Sequence, residues 1–196
     1  MNNYVYKIGN KLYINLTNRC SNNCDFCIRD GREGMNGTAL WIEKEPSAKD
    51  VIAALPKDLL TYEEVVFCGF GEPTYNLEAL VEAGKFLHEK GVTTRINTNG
   101  QANLIHNRDV SAEVCSACDY INVSLNECNE KKYQQHCNSV FGEDAYAALL
   151  DFARLCVSHG AKVNFSIVDS IGKEDIDECI KLSKKLGIPL RIRAKE

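Results

Sequence analysis

Apolar and polar residues alternate over Lys11-Leu12-Tyr13-Ile14-Asn15-Leu16-Thr17, the period of a half-buried strand. Residues 64–69, 92–97, 119–126, 161–168 and 188–193 read the same way, rich in Val, Ile and Phe. Between them the period lengthens to that of a helix. Ser47 and Asp50 form a capping box ahead of Val51, Ile52 and Leu55, so a helix starts there and ends near Pro56. Leu77, Leu80, Val81, Gly84 and Leu87 mark a second helix, up to Gly91. Ser111 caps a third, reaching Cys118. Ala145, Leu149, Phe152 and Cys156 share one face of a fourth, and Ile176, Cys179, Ile180 and Leu186 mark a fifth, stopped by Gly187. Two stretches show no period: 28–45, read as a long structureless loop, and the polar segment leading to Gly142. Strand alternating with helix predicts parallel βαβ units. Eight units need about 250 residues, so this α/β pattern predicts a partial (β/α)6 TIM-like barrel of six parallel strands. A flat, doubly wound sheet is the alternative. Either architecture binds ligands at the carboxyl ends of its strands.

Composition narrows the class. The 196 residues are one domain's worth, 1–196, with 44% hydrophobic and 26% charged residues. The net charge of −4 gives no footprint for a nucleic-acid backbone. No apolar run approaches the ~20 residues that span a bilayer, and the first seven residues do not read as a signal peptide. No membrane association is expected. Ten cysteines without a secretion signal suggest a reducing, cytoplasmic setting and metal ligation in place of disulfides.

Three of those cysteines, Cys20, Cys24 and Cys27, follow the first strand at spacings of four and three. Three cysteines at fixed offsets should arise by chance about 0.02 times in such a chain, whereas one C-x-x-C pair, such as Cys115 and Cys118, is expected roughly 0.5 times. Soft thiolates on one short loop suit an iron–sulfur cluster or zinc. No fourth cysteine or histidine lies nearby, and a site with three protein ligands keeps a position open for chemistry. Buried thiols packed as small hydrophobes, or zinc completed by a distant ligand, are the plainer readings; the polar neighbours Ser21, Asn22, Asn23 and Asp25 argue against the first of these.

The segment Cys20-x-x-x-Cys24-x-Phe26-Cys27 resembles the signature of the radical SAM superfamily. Cys27-Ile28-Arg29-Asp30 and Leu40-Trp41-Ile42-Glu43-Lys44-Glu45-Pro46 are similar to the radical SAM proteins associated with TatD-family nucleases. The resemblance implies one radical SAM core domain whose cysteines hold a 4Fe–4S cluster. Its open iron would be chelated by S-adenosylmethionine, and reductive cleavage would give a 5′-deoxyadenosyl radical. It further implies an oxygen-sensitive enzyme, a one-electron donor such as flavodoxin or ferredoxin, a protein or nucleotide substrate, and a functional link to a TatD-family nuclease. A non-catalytic zinc or iron–sulfur module serving a partner is the alternative.

The remaining candidates stand at strand ends. Gly71 and Glu72, in Gly69-Phe70-Gly71-Glu72-Pro73, match the family segment that binds the methionine amino group, with Phe70 as a departure between the glycines. Asn97, Thr98 and Asn99 end the third strand; related activating enzymes often carry an acidic residue where this chain has Asn97. Ser124 and Asn126, two apart and on one face, are placed by the resemblance at the ribose and carboxylate. Val168, near Ser166, and Phe26 are placed at the adenine. Arg29, Arg32, Arg191 and Arg193 are candidates for anionic substrate groups. Cys68 is read as core, and Cys115, Cys118, Cys128 and Cys137 as candidates for a second metal.

Overall fold

The computed structural model describes residues 2–194. It contains a seven-stranded sheet. The hairpin β1 (Val5–Ile8) and β2 (Lys11–Ile14) is antiparallel and opens it. Then come β5 (Val65–Phe67), β6 (Thr94–Thr98), β7 (Tyr120–Ser124), β8 (Lys162–Val168) and β9 (Leu190–Arg193). Strands β2 and β5 to β9 are the six parallel strands expected; β1 is an extra edge strand that the alternation of 11–17 did not foretell. Two tiny strands, β3 (Gly34–Met35) and β4 (Thr38–Ala39), pair only with each other.

The order β1-β2-β5-β6-β7-β8-β9 follows the sequence without reversal. A doubly wound sheet reverses its order at a switch point, so the alternative architecture is excluded. The helices described pack on one face of the sheet, since each contributes a buried residue to a single core. The edges β1 and β9 do not pair among the described residues, so the barrel stays open.

Registers sort the side chains. Ile14, Phe67, Ile96, Ile121 and Val163 lie side by side and belong to one buried core shared with the helices. That core includes Leu80, Ala83 and Leu87 of α2 (Leu77–Glu89) and Leu149, Phe152 and Ala153 of α6 (Asp144–Ser158). The alternate positions face the concave side and are largely polar, with Val66 and Val168 as apolar exceptions. Asn97, Asn122 and Asn164 share one level; Asn164 donates to Asn122 at 2.5 Å and Asn122 to Ser166 at 3.3 Å. Lower down, Arg95 forks onto Glu64 at 2.9 and 3.1 Å and Lys11 reaches the same carboxylate. Burial alone would raise the Glu64 carboxyl, but hydrogen bonds from Lys11 and Arg95 outweigh it and hold it below its ordinary value. A depressed carboxyl gives stability that is present above the unfolded value and lost as pH falls through the folded one. Glu64→Gln should therefore flatten the fall in unfolding free energy on acidification, which urea titrations from neutral to acidic pH would read.

The remaining helices include α1 (Ala48–Ala54), with the capping box at Ser47 and Asp50, α4 (Ser111–Ala117) and α7 (Lys173–Leu186). Two others lie where no helix was expected, α3 (Ala102–His106) and α5 (Glu130–Cys137). The 28–45 segment is also more ordered than its lack of period suggested. Asn36 and Gly37, both at positive φ, form the tight turn between β3 and β4 that an Asn-Gly pair favours. Buried Leu40 then packs with Tyr6 and Phe70, while Trp41 meets Phe70 edge-on. Side chains of the β2 strand and its exit pin the segment: Asn15 donates to the Leu40 carbonyl at 2.7 Å, and Asn18 makes two bonds to the Ile42 backbone.

Candidate active site at the carboxyl rim

β2 delivers the chain into the cysteine loop at the carboxyl rim of the sheet. Three neighbours hold that loop by its backbone. On one side, the Glu72 amide donates to the Arg19 carbonyl at 2.8 Å. Here lies the physical need for Gly71: an added Cβ would sit 2.4 Å from the Thr17 carbonyl oxygen and 2.5 Å from that of Arg19. What approaches this glycine closely is the loop's own main chain. On the other side stands the end of α5. Asn23 and Asp25 donate their amides to the Cys137 and His136 carbonyls at 3.0 Å each, and the Asp25 carboxylate meets the His136 ring at 2.7 Å. Beneath, Val140 donates to the Ser21 carbonyl at 2.9 Å.

A buried polar network completes the cradle. Gln101, fully buried, donates to Asn22 at 2.8 Å and to the Tyr133 hydroxyl at 2.9 Å, and accepts from Ser139 at 2.9 Å. Asn22 also donates to Tyr133, and its amide donates to Cys20 Sγ at 3.4 Å. Sequence reasoning missed Gln101, Tyr133 and α5. The signal was present but faint: Asn129, whose side chain caps α5, precedes charged residues, and Tyr133 and Cys137 stand four apart in an otherwise polar run.

Glu72 is the hub between motifs. Its carboxylate is buried and accepts four bonds: from the Thr74 amide (3.2 Å) and hydroxyl (2.8 Å), the Thr98 hydroxyl (2.8 Å) and the Asn99 amide (2.7 Å). Burial raises its pKa, and the four donors pull the other way without cancelling that effect. Asn99 in turn donates to Ser21 at 2.8 Å. Thus Gly71, Glu72, Thr98 and Asn99 converge on the cysteine loop. Thr98 shares its level with core residue Val123, so it faces the helices and its hydroxyl serves Glu72. Asn97 sits on the concave side and accepts from Arg95 at 2.9 Å.

Asn126 ends the β7 segment in the left-handed conformation, with φ of 58°. It is 5% exposed, donates to Cys137 Sγ at 3.6 Å, and leaves Oδ1 buried without a hydrogen-bond donor. Ser124 lies level with Ser166 on the concave face, half-buried. Val168 is buried level with Arg193, and Phe26 packs against the main core. These last three share no hydrogen bond with the cradle. Arg29 turns back to the Asn18 carbonyl at 3.2 Å. Arg193 lies on the concave side with its Nε buried and unbonded.

The three thiols are each half-buried. Burial, then the nearby Glu72 carboxylate, pushes the Cys20 thiol up to about 12. A hydrogen bond with Cys137 and then burial raise the Cys24 thiol as well. Metal ligands must be deprotonated, so binding iron here releases protons. Three soft thiol donors carried on one short loop suit an iron–sulfur cluster. The cluster would take Cys20, Cys24 and Cys27; Asn126, with its orphan Oδ1, is linked to Cys24 through Cys137.

Two expectations are corrected. Cys68 is not in the helix-side core; it is half-buried past the end of β5, beside Asn97. Cys115, Cys118, Cys128 and Cys137 do not form one site. Cys115 lies against Cys156, Cys118 in the main core, Cys137 beside Cys24, and Cys128 against Asp175.

Gly71→Ala should cost about 1–3 kcal/mol, the usual range for overpacking. It should also lower iron content, because the atoms it strikes are main chain of the cysteine loop. Unfolding of the metal-free chain and iron per chain after reconstitution would read the two effects.

This chain belongs to the radical SAM superfamily: the family model matches residues 14–186. Members of that family use a 4Fe–4S cluster and S-adenosylmethionine. A probable GTP 3′,8-cyclase of Saccharolobus islandicus strain Y.N.15.51 is 28% identical over 182 residues, covering 90% of this chain and 54% of its own. The chain thus spans about half the length of the curated relatives it matches. The fold is that of Streptococcus suis SuiB bound to S-adenosylmethionine (TM-score 0.74, 20% identity, 95% of this chain and 40% of that one). A radical SAM methyltransferase from Sphaerobacter thermophilus is also similar (TM-score 0.66, 16% identity, 97% and 68%). No helix among the described residues is long and apolar enough to cross a membrane.

Proposed function

We propose that the chain is a radical SAM enzyme working at the carboxyl rim of the sheet. The observation that carries this reading is the cysteine loop, which carries three half-buried thiols and is held by backbone bonds from three sides. When bound, the cluster would supply one electron to cleave S-adenosylmethionine into methionine and a 5′-deoxyadenosyl radical that takes hydrogen from the substrate. The chain's own part is positioning and exclusion of water. The Asn22 amide stabilises the Cys20 sulfur. Asn126 Oδ1 offers an acceptor to a hydroxyl or ammonium of the cofactor. Asn97, Ser124, Val168 and Phe26 are proposed as further cofactor contacts, and Gly71, Glu72, Thr98 and Asn99 as the frame that fixes them. The pinned 28–45 segment walls one side.

The TatD-associated branch is supported by the Cys27–Asp30 and Leu40–Pro46 stretches, and with it a link to a nuclease of that family. A flavodoxin or ferredoxin is the proposed electron donor and the cytoplasm the proposed setting. Relatives named as GTP 3′,8-cyclases make a nucleotide the first substrate class to test and a protein segment the second. The experiment is anaerobic reconstitution with iron and sulfide, then dithionite and S-adenosylmethionine. A 4Fe–4S spectrum and release of 5′-deoxyadenosine are expected. Bound zinc with no deoxyadenosine would instead favour a non-catalytic metal module.

A further inference from the structure

We propose that Glu127, Cys128 and Asp175 form a second metal site that takes one zinc-like divalent ion, apart from the cysteine loop. The chain leaves β7 through a sharp turn, with the Glu127 amide donating to the Leu125 carbonyl at 2.6 Å. That turn places Glu127 and Cys128 just before Asn129 caps α5. Asp175 comes to them from the first turn of α7. One ligand atom from each of the three lies within 4.8 Å of the other two. A second, independent observation points to a cation. Glu127 is 2% exposed, and its Oε2 is buried with no hydrogen-bond donor. A buried carboxylate oxygen without a donor is costly, and a metal ion is one of the few partners that satisfy it.

The present partners of the other two groups are exchangeable. The Cys128 thiol donates to Asp175 at 3.2 Å, the Asn129 side-chain Nδ2 donates to Cys128 Sγ at 3.3 Å, and Lys132 Nζ contacts both Asp175 oxygens at 2.6 Å. On binding, the Cys128 S–H proton leaves to solvent and a sulfur–metal bond forms. Lys132, with its side chain 44% exposed, swings out to water. Glu127 and Asp175 add oxygens and water fills the fourth place. One thiolate with two carboxylates suits borderline zinc; it is too soft for calcium or magnesium. The site lies at the start of α5, whose far end holds the cysteine loop, about 12 Å away at the helical rise.

The test is anaerobic titration of the cluster-loaded chain with Zn²⁺ against a chelating dye. One zinc per chain is expected beyond the iron. Cys128→Ser and Asp175→Asn should weaken it by at least about tenfold, with iron content unchanged. Lys132→Met, which removes the competing ammonium, should tighten it. Co²⁺ in place of zinc should give a thiolate charge-transfer band that Cys128→Ser lacks. No zinc beyond the iron, or undiminished affinity and an intact band in Cys128→Ser, overturns the proposal. If that variant does not fold, Lys132→Met still decides, since unchanged or weaker binding counts against the site. None of these readouts involves deoxyadenosine, so they stand or fall apart from the radical reading.

Discussion

Cys24→Ala is expected to leave the chain folded yet remove its cluster and, with it, all release of 5′-deoxyadenosine. The loop's shape does not depend on the thiol. It is fixed by amide bonds from Asn23, Asp25, Glu72 and Val140 and by the Gln101–Asn22–Tyr133 network. The sulfur itself touches Cys137 and the edge of the core. Losing one half-buried thiol removes little packing, on the order of 1 kcal/mol. With one of the three thiolates gone the cluster is not held, and the open iron goes with it. Iron and sulfide per chain, the cluster's absorbance, and deoxyadenosine by chromatography would be measured against the thermal melt of the metal-free chain. A variant that kept full iron would mean Cys137, already beside Cys24, had stepped in as ligand, and would sink the three-ligand assignment. Cys24→Ala/Cys137→Ala would then lose the metal.

Glu72→Ala is expected to act the other way, through the fold. Its carboxylate gathers four buried donors. The Thr74 and Thr98 hydroxyls can rotate toward new acceptors; the Thr74 and Asn99 amides cannot. Each buried amide left unsatisfied costs about 1–3 kcal/mol, so roughly 2–6 kcal/mol is expected in all. Glu72→Gln keeps the shape but turns an NH2 toward at least one of these donors, and should cost about 1–3 kcal/mol. Urea unfolding of the metal-free chain under reducing conditions measures both. Iron loading should fall in the alanine variant too, because Asn99 carries the constraint on to Ser21 in the cysteine loop. A Glu72→Ala chain as stable as the parent would show that the cradle does not rest on this carboxylate.

The sequence by itself determined the elements that bury one face and the chemistry that sits at their ends. Alternation marked the six parallel strands because side chains on opposite faces of a strand meet opposite environments, here a helix-packed core and a polar concavity. The Ser47 capping box and the Gly187 stop were legible because caps act within a few residues. Three cysteines at fixed offsets were legible because one loop supplies them all. Only the tertiary structure decided the rest. The added strand β1, the pinned hairpin in 28–45 and α5 are held by long-range partners such as Leu40 with Phe70 and Tyr133 with Gln101, and local period does not register those. The role of Gly71 is to admit the Arg19 main chain, and that of Glu72 is to join two segments by gathering donors from Thr74 and from Thr98–Asn99. Both depend on which strands lie side by side. The same holds for Cys128: alone it is one cysteine among ten, and only the packing of α7 against the β7 turn sets Asp175 and a donorless Glu127 oxygen beside it.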